Sequence, residues 1–501
     1  MQLMLSFEQV SYCYPGASEL ALDDVSFAVS PGEHVVLLGS NGSGKSTLAQ
    51  LSNGLLLPTK GKVLVDGLST DDRETIRKLR SLVGVVVQNP DNQIVSTTVL
   101  DEVAFGLENL GVERALMVTR VDGALEALGL TGYEERDPNS LSGGEKQRLI
   151  IAGLVAMEPD FLVLDEPMSM LDEAGQAEVC EAISRLHADG HGILHITHDL
   201  RFARGAERAL VLAAGRLVYD GKPGELLDDE DRLVAFGLKA REEEAPQIEL
   251  AFIRPPGAEL SSLCLEGIHY SYLTGTENER EVLCGLDLTI LPGSYTLISG
   301  KTGSGKSTLL RILAGLLEPT KGTAGFAGGA KIVPGDVGIV FQHPESQLFA
   351  KTVEEEVLFG PENLGLLSGR SAAKEDCVDV AEGALSAKVV ADTLRAKVVE
   401  DALRAVGLDP ESFAQRSPFT LSGGEMRRVA IASILSMRRS FLLLDEPTAS
   451  LDAQGRAFVH NLIRSLVEAG VGVVVVSHDL DEFRPRAQRH LILKDGRLWH
   501  S

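Results

Sequence analysis

The chain has 501 residues, 44% of them hydrophobic and 24% charged, which is enough apolar material for large buried cores. Its formal net charge of −25 and the lack of a long basic run argue against a nucleic-acid partner and against direct adhesion to anionic lipid. Five cysteines form no C-x-x-C pair, so zinc-ribbon and iron–sulfur sites have no support, and free thiols in a reducing compartment are expected.

The N-terminus lacks the basic and apolar regions of a signal peptide. The apolar runs fall far short of the ~20 residues that a membrane span requires. We therefore expect a soluble chain whose membrane role, if it has one, depends on partner proteins.

The chain contains an internal repeat. Four motifs occur twice and in one order: GSNGSGKST at Gly39 and GKTGSGKST at Gly300, LSGGE at Leu141 and Leu421, FLVLDEP at Phe161 and FLLLDEP at Phe441, ITHDL at Ile196 and VSHDL at Val476. The LSGGE serine precedes the second acid of the DE pair by 24 residues in both halves, and 32 more residues lead to the histidine. A whole domain is duplicated. We predict domains at 1–240 and 261–501, joined by a linker at 241–260 that carries charges and prolines without a periodic pattern.

Each half first presents a phosphate-binding loop. An apolar run, VVLLG or TLISG, leads into G-x-x-x-x-G-K-[ST], the pattern of a strand, a glycine-rich loop and a helix. Backbone N–H groups of the loop would face phosphate, the lysine would reach the outer phosphates and the serine hydroxyl would bind Mg²⁺. A plain glycine-rich turn is the alternative, and two matches in register make it negligible. The predicted ATP-binding residues are Gly39, Asn41, Gly42, Gly44, Lys45, Ser46 and Thr47, and Gly300, Thr302, Gly303, Gly305, Lys306, Ser307 and Thr308.

The halves differ in length before LSGGE. Gln88 lies 54 residues before Ser142, whereas Gln342 lies 80 residues before Ser422. The excess predicts an extra helical segment around 365–404, which contains the near-repeat AKVVADTLR and AKVVEDALR. Nine residues turn a helix by about 900°, which places the two copies on opposite faces and favours an elongated surface helix.

The LSGGE motif fits a capping box at a helix start, with Ser142 and Glu145 in the first half and Ser422 and Glu425 in the second. A simple helix cap is one interpretation. Two glycines within the cap weaken the helix, however, and a glycine-lined helix N-terminus is an anion site. Each half already has its own phosphate loop. This second anion site would therefore bind a phosphate that is held outside the same half.

The pair of acids follows a short apolar run, as at the carboxyl end of a buried parallel strand, where α/β proteins bind ligands. Asp165 and Asp445 would hold Mg²⁺, directly or through water. Glu166 and Glu446 would orient or deprotonate the attacking water. His198 and His478 would end the next strand, near the γ-phosphate; a lone histidine is usually structural, but the repeated spacing favours catalysis.

With these motifs the sequence resembles the ATP-binding-cassette (ABC) family over essentially its whole length. The resemblance implies two tandem P-loop NTPase nucleotide-binding domains of the α/β class, each with a mixed β-sheet core, an antiparallel β subdomain and a helical signature subdomain. It implies head-to-tail pairing of the halves, so that Ser422 and Gly424 complete the site of Lys45, while Ser142 and Gly144 complete that of Lys306. It also assigns Tyr14 and Tyr272 to adenine stacking, Gln88 and Gln342 to sensing Mg²⁺ and contacting the partner, and Asp172 and Asp452 to D-loops. One departure is Met168, where Thr448 is the commoner residue.

The stretches VVVQNPDNQIVSTTVLDEVAFGLENLG and IVFQHPESQLFAKTVEEEVLFGPENLG look like those of ATPases from energy-coupling-factor importers, which take up vitamins and metal ions such as cobalt and nickel. The chain is similar to a fused pair of such ATPases. The resemblance implies an integral membrane scaffold and a substrate-binding membrane subunit as partners, and a location on the cytoplasmic face of the cell membrane through them. The alternatives are a tandem ATPase of another transporter class, or a soluble ATPase acting on ribosomes or DNA. The latter usually carry a long charged helical linker or cysteine-rich modules.

Overall fold

The structure is a computed structural model that describes residues 3–17, 19–88, 90–169, 171, 173–240, 261–275, 279–301, 303–342, 347–367, 387–449 and 451–500. The chain forms two compact units, one comprising Met1–Arg241 and Ser450–Gln454 and the other Glu242–Ala449 and Gly455–Ser501. The predicted linker, 241–260, lies outside the described residues.

The sequence led us to expect no membrane-spanning segment and free cysteine thiols. None of the helices within the described ranges has both the length and the apolar character needed to traverse a bilayer. Four of the five cysteines are described, and Cys13, Cys180, Cys264 and Cys284 are free thiols.

The first unit alternates strands and helices after an initial pair of strands. Its strands are β1 Leu5–Tyr12, β2 Leu22–Val29, β3 His34–Leu38, β4 Lys60–Val65, β5 Leu68–Ser69, β6 Val83–Val86, β7 Phe161–Asp165, β8 Gly192–Thr197, β9 Arg208–Ala213 and β10 Arg216–Gly221. Its helices are α1 Lys45–Ser52, α2 Ile76–Leu82, α3 Val99–Leu110, α4 Arg114–Ala127, α5 Gly143–Val155, α6 Glu173–Ala188, α7 Pro223–Leu227 and α8 Glu230–Ala235.

The second unit repeats this plan. Its strands are β11 Leu263–Tyr272, β12 Arg280–Ile290, β13 Tyr295–Ser299, β14 Lys321–Phe326, β15 Gly338–Val340, β16 Phe441–Asp445, β17 Gly472–Val476, β18 Arg489–Lys494 and β19 Arg497–His500. Its helices are α9 Lys306–Leu313, α10 Val353–Asn363, α11 Ala387–Ala405, α12 Pro410–Phe413, α13 Gly423–Leu435, α14 Ala453–Glu468 and α15 Leu480–Phe483.

Each unit has a mixed six-stranded sheet and a smaller antiparallel sheet. The large sheets have the orders β10-β9-β3-β8-β7-β6 and β15-β16-β17-β13-β18-β19, with β10 and β19 as the antiparallel edge strands. The antiparallel sheets have the orders β2-β1-β4-β5 and β12-β11-β14. The central parallel strands are runs of Val, Ile and Leu, and they are buried because helices cover both faces of such sheets. This architecture confirms the predicted fold class.

The extra helical segment is visible only in part, because residues 368–386 lie outside the described ranges. Helix α11 has 19 residues, against 14 in α4 of the first unit. In the second near-repeat copy Val398, Val399, Ala402 and Leu403 are buried. The same copy exposes Lys397, Glu400 and Arg404, so this part of α11 is a surface helix with one buried face. Apolar residues three and four apart face the core here, as Val121, Ala124 and Leu125 do in α4.

Candidate functional site

The predicted site residues follow neighbouring strands of the large sheet in each unit. In the first unit β3 leads into the phosphate loop, β7 ends at Asp165, β8 precedes His198 and β6 precedes Gln88. Because these strands are parallel, their carboxyl ends meet at one sheet edge. In the second unit β13, β16, β17 and β15 bring the equivalent residues together in the same way.

The phosphate loop of the first unit is shaped by steric limits at its glycines. A Cβ on Gly39 would lie 2.5 Å from the carbonyl oxygen of Leu212, and one on Gly44 would lie 2.5 Å from that of Ala21. Gly44, at φ +103°, is also the residue that begins α1. Its neighbour Lys45 is buried and donates from Nζ to the Gly39 carbonyl at 2.8 Å.

The second unit has the same loop. Lys306 Nζ donates to the carbonyl oxygens of Gly300 at 2.6 Å and Lys301 at 3.1 Å. Gly305 begins α9 at φ +101°. Thr302, a predicted ATP-binding residue, lies outside the described residues.

Burial lowers the pKa of the Lys45 ammonium, while the charges of Glu166 and Asp165 act to raise it. The lysine is thus a buried donor with carboxylates nearby, at the place where the sequence predicts phosphate.

The first acid of each pair suits magnesium. Burial raises the pKa of Asp165 to about 6 although the Ser46 side chain hydrogen-bonds to its carboxylate, and Oδ1 is buried without a hydrogen-bond partner among the described residues. Burial also raises the pKa of Asp445, which pairs with the Ser307 side chain. A hard cation prefers hydroxyl and carboxylate oxygens, so these residues fit Mg²⁺.

The second acid of each pair contacts the histidine from the next strand. Glu166 Oε1 accepts from Nδ1 of His198 at 2.8 Å, and Glu446 Oε1 accepts from Nδ1 of His478 at 3.0 Å. Both glutamates have a left-handed backbone, with φ of 50° and 47°. The hydrogen bond that His478 donates to Glu446 raises the pKa of His478, against the opposing effect of burial.

The residue before each histidine also touches the glutamate. Thr197 Oγ1 donates to Glu166 Oε2 at 3.4 Å, and Ser477 Oγ donates to Glu446 Oε2 at 3.1 Å. Sequence reasoning missed these hydroxyls. The signal was present, because a hydroxyl residue precedes the histidine in both ITHDL and VSHDL.

The tyrosines predicted to stack on adenine reach the phosphate-loop helices. The Tyr14 hydroxyl lies 3.0 Å from Thr47 Oγ1, and the Tyr272 hydroxyl lies 3.0 Å from Thr308 Oγ1. Both rings are exposed enough to receive a ligand, at 43% and 38%. The tyrosine and the threonine of each half therefore lie together, as a nucleotide site needs.

The segments that begin at Gln88 and Gln342, called the glutamine segments, follow β6 and β15. Gln88 is exposed, and the backbone oxygen of Gln342 accepts from the Arg427 guanidinium at 2.8 Å. The second glutamine of the stretch QNPDNQ, which begins at Gln88, has a role that the sequence did not suggest. Gln93 spans the end of β6 by accepting from Val87 N at 2.8 Å and donating to the Val85 carbonyl at 3.0 Å.

The LSGGE segments begin helices α5 and α13. Both form the predicted capping box, in which Ser142 Oγ accepts from Glu145 N and the Ser142 N–H donates to the Glu145 carboxylate, with the same pattern at Ser422 and Glu425. A Cβ on Gly144 would approach the Gly175 Cα to 3.1 Å, whereas one on Gly424 would meet no atom within 4 Å. In the second unit, therefore, local packing does not explain the glycine.

Comparison with known proteins extends over the whole chain. The family model described as "ABC transporter" matches residues 22–169 and 283–449. A Bifidobacterium longum protein described as an ABC transporter ATP-binding protein is 36% identical over 96% of this chain and 64% of its own length. One of the same description from Caldanaerobacter subterraneus is 31% identical over 95% of this chain and 87% of its own length.

A second kind of relative matches half of the chain. The energy-coupling factor transporter ATP-binding protein EcfA1 of Lacticaseibacillus paracasei is 47% identical over 236 residues, which are 47% of this chain and 84% of that protein. The full-length relatives thus share the tandem arrangement, and a single-domain relative is more similar over a shorter stretch.

Proposed function

Because the chain belongs to the ABC transporter ATPase family, with two ATP-binding domains in one polypeptide, we propose that it energises an importer of the energy-coupling-factor type. Its transported cargo would be a vitamin or a transition-metal ion. The 47% identity to an energy-coupling factor ATP-binding protein supports the class of importer. Acting through an integral membrane scaffold and a substrate-binding membrane subunit, the chain would work at the cytoplasmic face of the cell membrane.

The contacts within each unit support the following chemical roles. Lys45 and Lys306 bind the outer phosphates, and Glu166 and Glu446 orient the attacking water while His198 and His478 hold these glutamates. Ser46 and Asp165, or Ser307 and Asp445, would hold magnesium, which would supply positive charge to offset that of the phosphate oxygens.

The remaining roles rest on the family resemblance. Tyr14 and Tyr272 stack on adenine, and the LSGGE serine and second glycine of one half close over the ATP of the other half. Binding of ATP would close the two halves and hydrolysis would reopen them, so the energy comes from the different affinities of ATP for the two states. The 241–260 segment acts as the linker in this scheme.

The observation that best supports coupling to a membrane partner is a paired apolar surface after the glutamine segments. Val95 and Phe105 of the first unit are 63% and 47% exposed, and Phe349 and Phe359 of the second are 57% and 49% exposed. The two second-unit rings pack edge to face with centroids 4.6 Å apart. Exposed apolar clusters of this kind mark protein interaction sites. We call these two pairs the docking patches.

ATP hydrolysis by the assigned glutamates is tested with the double variant Glu166→Gln, Glu446→Gln. ATP binding should remain while steady-state hydrolysis falls by at least about 100-fold, because a neutral amide cannot accept a proton from water. Binding is measured with a fluorescent ATP analogue and hydrolysis by phosphate release. Full hydrolysis in the double variant would overturn the catalytic assignment.

The importer assignment is tested by mild-detergent purification of the tagged chain from its native cells. We expect a multi-span scaffold and a small membrane protein to copurify, and Phe105→Ser with Phe359→Ser to reduce their recovery. Val218→Ser, which changes an exposed apolar residue on β10 outside the patches, is the matched control. Copurification of ribosomes or DNA-repair proteins with no membrane protein would overturn transport in favour of a soluble role.

A further inference from the structure

The two units differ in the side chains that contact the segment directly following the histidine of each predicted ATP site. In the second unit Glu482, four residues after His478, has a side chain that is only 11% exposed. Its carboxylate accepts hydrogen bonds from Thr448 Oγ1 at 2.8 Å, Arg456 Nη1 at 3.0 Å and His460 Nε2 at 2.8 Å. A nearly buried carboxylate with three donors is a fixed junction.

This junction joins three segments of the second unit. Thr448 lies two residues after Glu446 in the turn that follows β16, Arg456 and His460 lie one turn apart on α14, and Glu482 lies on α15 directly after His478. Burial acts to raise the pKa of Glu482, but the His460 hydrogen bond and the Arg456 charge hold it below its ordinary value. Glu482 is therefore ionised, and its hydrogen bonds are charge-assisted and directional.

The start of α15 is held at the same place. The Asp479 side chain accepts from Glu482 N at 3.1 Å, and Arg456 Nη1 lies 3.5 Å from Asp479 Oδ2. Arg456 thus contacts two of the acids that follow His478, namely Asp479 and Glu482. These contacts hold the backbone that follows His478, and the Asp479 N–H also donates to Ser477 Oγ at 3.1 Å.

The first unit has no carboxylate at the same positions, where three residues are apolar or a thiol and Gln176 donates to the Met168 and Leu171 carbonyls at 3.4 and 3.2 Å. Met168, Gln176, Cys180 and Phe202 replace Thr448, Arg456, His460 and Glu482. Met168 is buried, and Cys180 and Phe202 pack against the same hydrophobic cluster. Packing of this kind is less directional than charge-assisted hydrogen bonding.

We propose that Glu482 is a positioning residue for ATP hydrolysis in the second unit. It holds the segment that carries His478 against the segment that carries Glu446, whereas Met168 and Phe202 provide this support in the first unit. The inference rests on the proposed catalytic roles of Glu446 and His478. Its consequence is that the two ATP sites respond differently to loss of one charge.

Glu482→Gln tests the proposal, because it keeps the size of the side chain and removes the charge. It is made in full-length chains that carry either Glu166→Gln, which leaves Glu446 to hydrolyse, or Glu446→Gln, which leaves Glu166. In the first background we expect kcat to fall by about 10- to 100-fold with KM for ATP changed by less than about two-fold, since a misplaced catalytic group affects turnover more than binding. In the second background kcat should stay within about two-fold.

Two further variants separate positioning from folding. Thr448→Val removes one donor and leaves the carboxylate paired with Arg456 and His460, so a smaller fall in kcat is expected in the Glu166→Gln background. Replacing all four residues with the first-unit set, by Thr448→Met, Arg456→Gln, His460→Cys and Glu482→Phe, should restore more turnover than Glu482→Phe alone retains. Thermal melting of every variant is recorded beside the kinetics.

The proposal is overturned if Glu482→Gln lowers kcat equally in both backgrounds, or if KM rises while kcat is unchanged. It is also overturned if Glu166→Gln alone abolishes turnover. The site of Glu446 would then not hydrolyse ATP by itself, whatever Glu482 contributes to it. Full activity in the Glu166→Gln, Glu446→Gln double variant would remove the catalytic assignment together with this inference. Backgrounds that behave as assigned, with a uniform effect of Glu482→Gln, would remove the inference alone.

Discussion

Glu166 and Glu446 both sit in the left-handed region of backbone space, at φ 50° and 47°. A side chain with a Cβ adopts this region at a cost of the order of 1 kcal/mol, and such strain concentrates at functional sites. The surrounding sheet holds the strain, since the Glu166 N–H donates to the Ile196 carbonyl and the Glu446 N–H donates to the Val476 carbonyl. The repeated geometry aims each carboxylate at the neighbouring histidine.

Because of this strain, we expect the glycine variant at position 166 to be more stable than the alanine variant, the reverse of the order in a helix. Glu166→Gly and Glu166→Ala lose the same side-chain contacts, but glycine relieves the left-handed backbone, so the glycine variant should be more stable by about 1 kcal/mol. Denaturant unfolding of the two variants measures the difference. Ala177→Gly on the exposed face of α6 is the control, where glycine should instead cost about 1 kcal/mol. An alanine variant at 166 as stable as the glycine variant would contradict the strain.

Residues within a repeated motif were predictable at this scale. Lys45, Asp165, Glu166 and His198 came from the repeated motifs and their spacing, and the structure brings them to one sheet edge. Glu482 could not be predicted, because its donors come from positions 448, 456 and 460 and only the packing of α14 against α15 makes them neighbours. The left-handed backbone at the glutamates was equally hidden, since no motif letter reports φ.

At the scale of elements, the first unit groups three histidines from β3, β8 and α6, of which His195 is buried and the other two are partly buried. The rings of His34 and His195 stack with centroids 6.0 Å apart, and the His187 ring lies 5.7 Å from that of His34. Nε2 atoms of both His34 and His195 are buried without a hydrogen-bond partner among the described residues. The second unit has Tyr295, Val467 and Val475 at these positions.

Burial lowers the pKa of His34 and of His195 from 6.5 to about 4, helped by the charge of His187 on His34 and of His34 on His195. Glu207 acts the other way on His34, and Glu166 and Asp199 do so on His195.

The unfolded chain therefore binds more protons at these two histidines as the pH falls below 6.5. Their stabilisation of the fold is fully present above pH 6.5 and is lost as the pH falls toward 4, by roughly 3 kcal/mol for each group at most.

The first unit should consequently be acid-sensitive. His195→Val, which installs the residue of the second unit, should flatten the fall in thermal midpoint between about pH 7 and 5 by removing one such group. The exposed-histidine variant His500→Gln is the control and should leave the pH profile unchanged. An unaltered profile in His195→Val would show that this histidine does not link folding to protonation.

Gln93 is a second element-scale feature, because its side chain holds the end of β6 just before the glutamine segment. Gln93→Met should cost about 2 kcal/mol of unfolding free energy, since it leaves the Val87 N–H and the Val85 carbonyl without this partner. Denaturant unfolding gives the cost. Asn109→Leu, at an exposed site on α3 whose amide donates to the Phe105 carbonyl at 3.0 Å, is the comparison and should cost less. Equal costs would mean that Gln93 does not hold the strand end.

At the scale of the whole molecule, the net charge of −25 predicts weak binding to lipid alone. Vesicles of anionic lipid should retain no more of the purified chain than neutral vesicles do, and lowering the salt should reduce retention further because repulsion is then less screened. Cosedimentation measures both. Salt-sensitive binding to anionic vesicles would instead indicate a local basic surface and a direct membrane contact.

The docking patches are not identical, because Val95 stands in the first unit where Phe349 stands in the second. In an ATPase assembled from two copies of one gene product, a single codon change alters both contacts with a partner at once. Here a codon change at 349 would alter one proposed contact and leave the other as it was. If the patches dock as proposed, selection could fit each of them to a different part of an asymmetric partner, one amino acid at a time.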